Sequence, residues 1–432
     1  MKIQGWGRYP SLEAEVLTPF FDFDCERFIK NGALIPRGLG RSYGDSSLSP
    51  IVLETFRLDH FISFNHETGL ISCQAGVSIH EILDFVVPKG WFLPVTPGTS
   101  YVTVGGAIAS DVHGKNHHVG GSFSQHVVSL ELLLGSGEKV TVTPSGMPDL
   151  FRATCGGMGL TGIILSATFQ LIPIQSSFIS QRTIRANSLE EVCELFEANA
   201  LSTYSVAWVD CLAKGKQMGR SLLMLGEHSV NGGLDLGSQP KKSLPIDMPN
   251  WVLNLYSIKA FNFFYFHKSI FSPQKIDLPY QPYFYPLYAI NICTRLYGKN
   301  GFIQYQFVVP KAVGVKGLKR ILDVISNSNK GSFLAVLKVF GKGNENYLSF
   351  PMEGYSLALD FKIEPGIVDL VKRLDSMVLE MGGRVYLTKD ALMSEQMFKS
   401  TYPQWQIFEE VRAKYGAIGR FASNQSRRLG LQ

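Results

Sequence analysis

Three glycine-rich segments constrain this chain more than any other feature: PRGLGRSYGDSS (Pro36–Ser47), VTPGTSYVTVGGAIASDVHGKNHHVGG (Val95–Gly121) and CGGMGLTGIILSATFQLIP (Cys155–Pro173). The Gly and Pro content of the first marks tight turns and excludes a helix or a core strand. It also leaves many backbone N–H groups without partners inside an element, and buried N–H groups need acceptors. A bound phosphate supplies them, and Arg37 or Arg41 adds charge. An ordinary surface turn explains one such segment; three ask for a common cause. Glycine permits positive φ and close approach of backbone to a ligand. A large, flat, polyanionic cofactor lying across one domain needs several such approaches, and a dinucleotide fits. GLGRSYG is not G-x-G-x-x-G, and no strand–turn–helix unit surrounds it, which argues against a Rossmann site. No Gly-Lys-Ser/Thr follows a glycine run, so a P-loop is absent. The expectation is a dinucleotide held by a non-Rossmann α+β domain.

A length of 432 residues suits two domains, and 45% hydrophobic with 18% charged residues is enough apolar material for real cores. The net charge of +5 suits anionic ligands or lipid headgroups. With no basic run interleaved with aromatics and no zinc-finger spacing, no nucleic-acid partner is expected. The six cysteines are scattered with no CxxC, which reads as reduced thiols in a cytosolic protein. MKIQGWGRYPSLEAEV lacks the apolar core of a signal peptide. The most apolar run, WVLNLYSIKAFNFFYFHKSIF (Trp251–Phe271), is interrupted by Asn254, Lys259, Asn262, His267 and Lys268. It reads as a lid, a greasy substrate wall or a membrane-surface contact rather than a membrane span.

VVSLELLLGSGEKVTVTP reads as a hairpin around GSGE, and IHEILDFVV (Ile79–Val87) as an amphipathic helix. Beyond Pro173 aromatics become dense and glycine runs disappear. Strand-like YSVAWVD, GFIQYQFVVP, AVLKVF and YSLALDF alternate with helix-like SLEEVCELFEANA and GIVDLVKRLDSMVLEMGG. This pattern predicts an α+β second domain with a mixed or antiparallel sheet. The tail from Arg384 reads as helical and returning to the first domain.

PRGLGRSYGDSS, PGTSYVTVGGAIASDVHGKNHHVGGSF and GGMGLTGII, in this order and spacing, resemble the FAD domain of the vanillyl-alcohol-oxidase superfamily. IASDVHGKNHH, GFIQYQFVVP and VYLTKD narrow the resemblance to the decaprenylphosphoryl-β-D-ribose 2-oxidase family. It runs from Trp6 to Leu429, close in the FAD domain and patchier from about Gly215 to Pro282. The resemblance implies an α+β fold of two domains: a PCMH-type FAD-binding domain over residues 1–177 and 384–432, and a substrate domain over 178–383. It implies oxidation of the ribose 2-hydroxyl of a polyprenylphosphoryl-β-D-ribose to the 2-keto sugar, with hydride passing to FAD. That is the first half of epimerisation to the arabinose form. The implied partners are an NAD(P)H-dependent short-chain keto-reductase and either a quinone or O₂ as electron acceptor. A lipid-linked substrate without a spanning helix implies a cytoplasmic protein peripheral to the inner face of the plasma membrane. The alternatives are an aldonolactone or alditol oxidase acting on a soluble sugar, and a non-catalytic protein that kept the fold.

By the same resemblance, Arg37, Gly38, Gly40, Arg41, Ser42, Tyr43 and Gly44 form a pyrophosphate cradle. Pro97, Gly98, Thr99, Thr103, Gly105, Gly106 and Ala109 line the pyrophosphate and ribityl chain. His113, Gly114, Asn116 and His117 lie beside the flavin ring. Gly159, Gly162 and Ile163 serve the adenine side, Ile163 through its backbone, and Tyr386 is a further cofactor contact. Each glycine has a plainer reading as a packing turn. Tyr43 stands where related sugar oxidases often place a histidine that tethers the flavin, so non-covalent FAD is expected. The histidines of DVHGKNHH invite a metal reading. No further His or Cys lies at ligand spacing, and no metal is expected; His118 reads as a loop residue. Lys115 is placed at the pocket floor, to meet the substrate phosphate. Lys389, with His113 and Gln306, is the catalytic candidate: alcohol oxidation needs the hydroxyl proton removed, and burial makes a lysine competent for that. A cationic Lys389 would instead stabilise developing negative charge. Gln304 and Gln306 alternate with Tyr305 and share a strand face, suited to sugar hydroxyls. Lys338 and Phe340 share a face likewise, Trp208 offers an aromatic wall, and Arg295 is a weaker member of the set. Two departures matter. Ala358 replaces the cysteine of mycobacterial members, so thiol-directed inhibitors lose their anchor. Ser356 is smaller than the family's usual asparagine, which bears on substrate choice.

Overall fold

The computed structural model describes residues 1–236, 248–249, 252–270, 273–286, 293–332 and 334–431. Alternating apolar residues from Phe178 onward build one eight-stranded sheet. Its spatial order is Lys275–Pro279, Phe178–Ala186, Ser221–His228, Tyr204–Val209, Ala335–Phe340, Gly354–Lys362, Phe302–Pro310 and Arg384–Val385. Every neighbouring pair in it is antiparallel. Of the two sheet types expected, antiparallel is therefore the one observed. One face is buried under the helices Leu189–Ala198, Gly314–Asn327 and Ile367–Glu380. Leu318, Ile321, Leu322 and Ile325 recur at helical spacing on the second of these and are all buried. Tyr305 points to this side, and its hydroxyl donates to Asp375 Oδ1 at 2.8 Å. The opposite face is free to roof a cavity.

Of the smaller sheets in the N-terminal part, two position the site. Val127–Leu133 and Lys139–Val142 pair antiparallel as the expected hairpin, and join Ile163–Gln170, Leu70–Gln74 and Phe61–Asn65 in a five-stranded sheet. Glu15–Leu17, Ile51–Glu54 and Ile35–Arg37 form a parallel three-stranded sheet. Pro36 and Arg37, which open the first glycine segment, end this last strand. It is an edge strand, where proline is tolerated because no ladder donor is required of it. The helix Ile79–Val86 starts at a capping box, with Ser78 Oγ accepting from the Glu81 amide and Glu81 accepting from the Ser78 amide.

The tail is helical only in part. Arg384–Val385 first adds a strand to the large sheet beside Phe302–Pro310. The helices Glu395–Thr401, Trp405–Lys414 and Asn424–Arg428 follow. They return to the N-terminal part: Leu34 bridges Phe421, and the Arg428 guanidinium spans Asp45 Oδ1 (2.7 Å) and Asp390 Oδ2 (2.8 Å). Asp45 follows the first glycine segment's turn and Asp390 follows Lys389, so this ion triad, with both carboxylates buried and the arginine partly so, ties the two loops together. No helix among the described residues is long and apolar enough to cross a membrane.

Candidate active site

The three glycine segments meet. A Cβ on Gly38 would stand 2.2 Å from Thr103 Oγ1, and one on Gly159 would stand 3.3 Å from Pro36 Cγ. Gly38 has to be glycine because Thr103 caps the short helix Val104–Ala109, accepting from the Gly106 amide at 3.1 Å. Main-chain bonds from Met158 to Ala109 and from Gly156 to Ile108 bring the third segment against the second. Together they form the floor of a cavity of about 790 Å³ whose roof is the free face of the large sheet.

The roof follows from strand register. Gln306 lies opposite Ala358, Ala358 opposite Val336, and Val336 opposite Trp208, so these side chains share one face. Gln304, Ser356, Lys338, Val206, Met224 and Gln181 extend that face, and all of them line the cavity. The side wall comes from the helix Leu255–Lys268, which turns Phe261 and Tyr265 inward, and from Tyr283 and Phe284. Tyr265 packs edge-on against Trp208 at 4.8 Å. Asn262 of the same helix is buried and donates to Asp210 Oδ1 at 2.7 Å. The ends of the apolar run that includes this helix, Trp251 and Phe271, lie outside the described residues.

Most of the sequence candidates line this cavity: Arg37, Gly38, Gly40, Arg41, Ser42 and Tyr43; Pro97, Gly98, Thr99, Thr103, Gly105, Gly106 and Ala109; His113, Lys115, Gly159, Gly162, Trp208, Gln304, Gln306, Lys338, Tyr386 and Lys389. Six candidates, and Arg295, are not in its wall. Gly44 serves the tail: a Cβ there would stand 1.7 Å from the Asp390 carbonyl oxygen. Gly114 is pressed on the Thr96 carbonyl, and buried Asn116 donates to the Pro94 carbonyl at 2.8 Å. His117 packs behind the wall against Phe340 with the rings tilted (4.7 Å), and Phe340 also meets the His113 ring edge-on (4.6 Å). Phe340 therefore supports histidines rather than facing a substrate. The Ile163 side chain points into a separate core with Leu133 and Leu165, while Gly162 and Ile164 line the cavity. His118 Nε2 donates to the Ser202 carbonyl at 2.8 Å. Arg37 lines the cavity, but its guanidinium is already bonded to the Gln4 and Ser47 carbonyls and lies 3.8 Å from Glu54. A cradle for phosphates here would draw on main-chain N–H groups, on Arg41 and on the Ser42 and Ser47 hydroxyls, which lie 3.1 Å apart.

Three lysines converge on the roof end. Burial lowers the Lys389 ammonium to about 7, with Asp360 pulling the other way and Lys338 adding to the fall. Burial also lowers Lys338 to about 8, and Lys115 to about 7 with Lys338 contributing. Lys389 Nζ sits 4.0 Å over the Tyr43 ring. Lys115 donates to the Tyr283 carbonyl and lies 4.2 Å over the Tyr283 ring. His113 is pushed well below its usual range by burial, with Lys338, His117 and Lys389 adding to it, and is neutral. Two carboxylates behind the wall escaped the sequence reading. Asp360 accepts from Gln304 Nε2 at 2.6 Å. Asp111 holds the loop before His113 by accepting from Ser349, Asn344 and Asn346 side chains. Asp360 was within reach, because Ser356, Ala358 and Asp360 alternate as Gln304 and Gln306 do.

The residues fit a flat dinucleotide. At Gly98 nothing lies within 4 Å of where a Cβ would stand, and at Gly106 only Thr103 Oγ1 does, at 3.1 Å. Both leave open main chain for a close-approaching ligand. Residues 28–143 match a family model described as an FAD binding domain. Fold, cavity and this match together define an FAD-dependent oxidoreductase with FAD as its cofactor. The whole chain aligns with the decaprenylphosphoryl-beta-D-ribose oxidase of Mycolicibacterium smegmatis at 37% identity over 450 positions, covering 97% of that protein. It is 31% identical over 370 residues to an uncharacterized protein of Streptomyces coelicolor, covering 82% of this chain and all of that one. A putative D-arabinono-1,4-lactone oxidase of Neurospora crassa is 33% identical over 148 residues, only 33% of this chain and 26% of that protein. The chain belongs to the decaprenylphosphoryl-β-D-ribose oxidase family.

Proposed function

We propose that this protein oxidises the 2-hydroxyl of a polyprenylphosphoryl-β-D-ribose to the 2-keto sugar, the first half of epimerisation to the arabinose form. The observation that carries this reading is the full-length alignment with a decaprenylphosphoryl-beta-D-ribose oxidase, where the lactone oxidase matches only a third of the chain. The cavity chemistry supports it. Lys115 and Lys338 offer positive charge to a phosphodiester, and Phe261, Tyr265 and Trp208 offer an apolar path for the first isoprene units.

Bound FAD supplies the hydride acceptor. Gln304 and Gln306 orient the ribose hydroxyls from the roof. Lys389, near 7, accepts the 2-hydroxyl proton at Nζ while the C2 hydride leaves, so the alcohol loses two electrons and two hydrogens and becomes the ketone. Neutral His113 holds Gln306 through Nε2. The apolar walls and the helix Leu255–Lys268 keep water from the ring. In this reading residues 1–177 and 384–432 hold the cofactor and residues 178–383 the substrate. The ketone requires an NAD(P)H-dependent short-chain reductase to finish epimerisation, and a quinone or O₂ to receive the electrons. Tyr256 is 80% exposed and Phe264 70% exposed on the wall helix, which supports a peripheral contact with the inner face of the plasma membrane. Comparing polyprenylphosphoryl ribose with free aldonolactones and alditols as substrates tests the proposal: turnover of the free sugars alone would overturn it.

A further inference from the structure

We propose that Asp360, which lines no part of the cavity, is a positioning residue for this oxidation: it turns the Gln304 carbonyl oxygen toward the sugar and places a negative charge behind Lys389. The inference deepens the functional reading above and rests on it.

Asp360 sits directly opposite Gln304 in the antiparallel register of Gly354–Lys362 and Phe302–Pro310. Its Oδ1 lies 2.6 Å from Gln304 Nε2, and its Oδ2 accepts from the Tyr297 hydroxyl at 3.3 Å. An ionised carboxylate only accepts, so the amide nitrogen of Gln304 has to face it. The same nitrogen reaches the Tyr43 hydroxyl at 3.4 Å. With the nitrogen committed, Oε1 is the end of Gln304 left for the cavity, an acceptor for sugar hydroxyls. Gln306 is held the same way round, its Nε2 given to His113 (3.0 Å) and Ser356 (3.2 Å). The roof therefore presents two carbonyl acceptors and reads hydroxyl donors.

The second consequence is electrostatic. Asp360, Gln304, Tyr43 and Lys389 form a continuous chain of contacts, closed by the Lys389 ammonium over the Tyr43 ring. The charged and titratable groups around Lys389 include the Tyr43 phenol beneath it, Asp360 on its strand, Lys338 on the next strand and His113 on the floor loop. Lys338 and burial disfavour the ammonium; Asp360 favours it. Burial raises Asp360 itself to about 6, opposed by Gln304, Lys389 and Tyr297, so the carboxylate is ionised at neutral pH. Its side-chain partners among the described residues are an amide and a phenol, with no cation in direct contact, so the buried carboxylate is costly to keep, which suits a functional role.

The test is anaerobic flavin reduction in the holoenzyme by polyprenylphosphoryl-β-D-ribose across neutral pH, in wild type, D360N and D360E. D360N removes the charge and lets the Gln304 amide turn either way. It is expected to move the midpoint of the rate profile to lower pH by about half a unit or more. It is also expected to weaken substrate binding roughly threefold to tenfold. D360E, which keeps the charge, is expected to restore the midpoint. A D360N enzyme that retains flavin and shows an unmoved midpoint overturns the proposal. Should D360N lose flavin, Y297F decides: removing a donor to the carboxylate lowers the midpoint if Asp360 acts as proposed, and an unmoved midpoint overturns it. Wild-type flavin that this substrate never reduces overturns the functional reading instead, which separates the two failures.

Discussion

The side-chain nitrogen of Gln306, on the sheet roof, lies 3.0 Å from Nε2 of His113, on the glycine-rich floor. With the Gln306 amide nitrogen donating, Nε2 accepts and the neutral imidazole holds its proton on Nδ1, which has no hydrogen-bond partner among the described residues. Burial and Lys338 hold His113 well below its ordinary range, so it does not titrate near neutral pH. Gln306→Leu leaves this buried acceptor unpaired. The expected result is flavin reduction slowed about tenfold, FAD content retained, and no histidine step in the pH profile of either enzyme. Stopped-flow spectroscopy across pH checks both; a wild-type acid limb that disappears in H113N would contradict it.

Lys389 is expected to act in its neutral form. Its ammonium is lowered to about 7, so the competent fraction, and with it the reduction rate, rises as pH climbs through about 7. Lys389→Ala is expected to cost roughly 10²- to 10⁴-fold in the reduction rate with FAD still bound. A rate that instead falls through this window would assign Lys389 to charge stabilisation as the ammonium.

How far the sequence could lead depended on sequence distance. Gln304 and Gln306 share a face because strand period is two, a local rule, and the GSGE hairpin and the Ile79 helix were legible for similar reasons. The commitments of Arg37 to Gln4, Ser47 and Glu54 were not, so an arginine beside a glycine run was read as free for phosphate. The face of Asp360 was legible from its alternation with Ser356 and Ala358, but its pairing with Gln304 needed the register of two strands far apart in the chain. Arg428, Asp45 and Asp390 needed the tail's return across almost the whole sequence. Phe340 alternates with Lys338 as expected, but a strand face is longer than the cavity it roofs, and its end is covered by His113 and His117.

Asp375 gives a stability prediction with a definite sign. Burial raises its carboxyl to about 7, partly offset by the Tyr305 hydroxyl, with Asp390 raising it further and Arg428 lowering it. Between about pH 4, where an unfolded aspartate ionises, and about pH 7 the folded state holds the proton and the unfolded chain does not, so stability falls as pH rises. Asp375→Asn keeps an acceptor for Tyr305 and removes the buried charge. It is expected to match wild type near pH 4 and to be more stable near pH 8, on the order of 2 kcal/mol. Thermal unfolding at the two pH values checks this; equal melting shifts at both would refute it.

Tyr43 contributes a phenol to the cavity where a tethering histidine would stand, and the described lining residues include no cysteine and only His113 among histidines. FAD is therefore expected to leave the chain on denaturation. Colour remaining with the precipitated protein would contradict that.

The wall helix Leu255–Lys268 turns Phe261 and Tyr265 inward and leaves Phe263 and Phe264 exposed. Replacing Phe263 and Phe264 with serine is expected to weaken association with anionic lipid vesicles severalfold while FAD content and melting temperature hold. Unchanged vesicle binding would remove the membrane contact from the account.

The most direct measurement is to mix the oxidised holoenzyme, without oxygen, with polyprenylphosphoryl-β-D-ribose and follow the visible flavin band. Bleaching of the band with formation of one 2-keto sugar per flavin is the predicted result. A band that stays oxidised with this substrate, and bleaches with a free aldonolactone or alditol, would contradict the account.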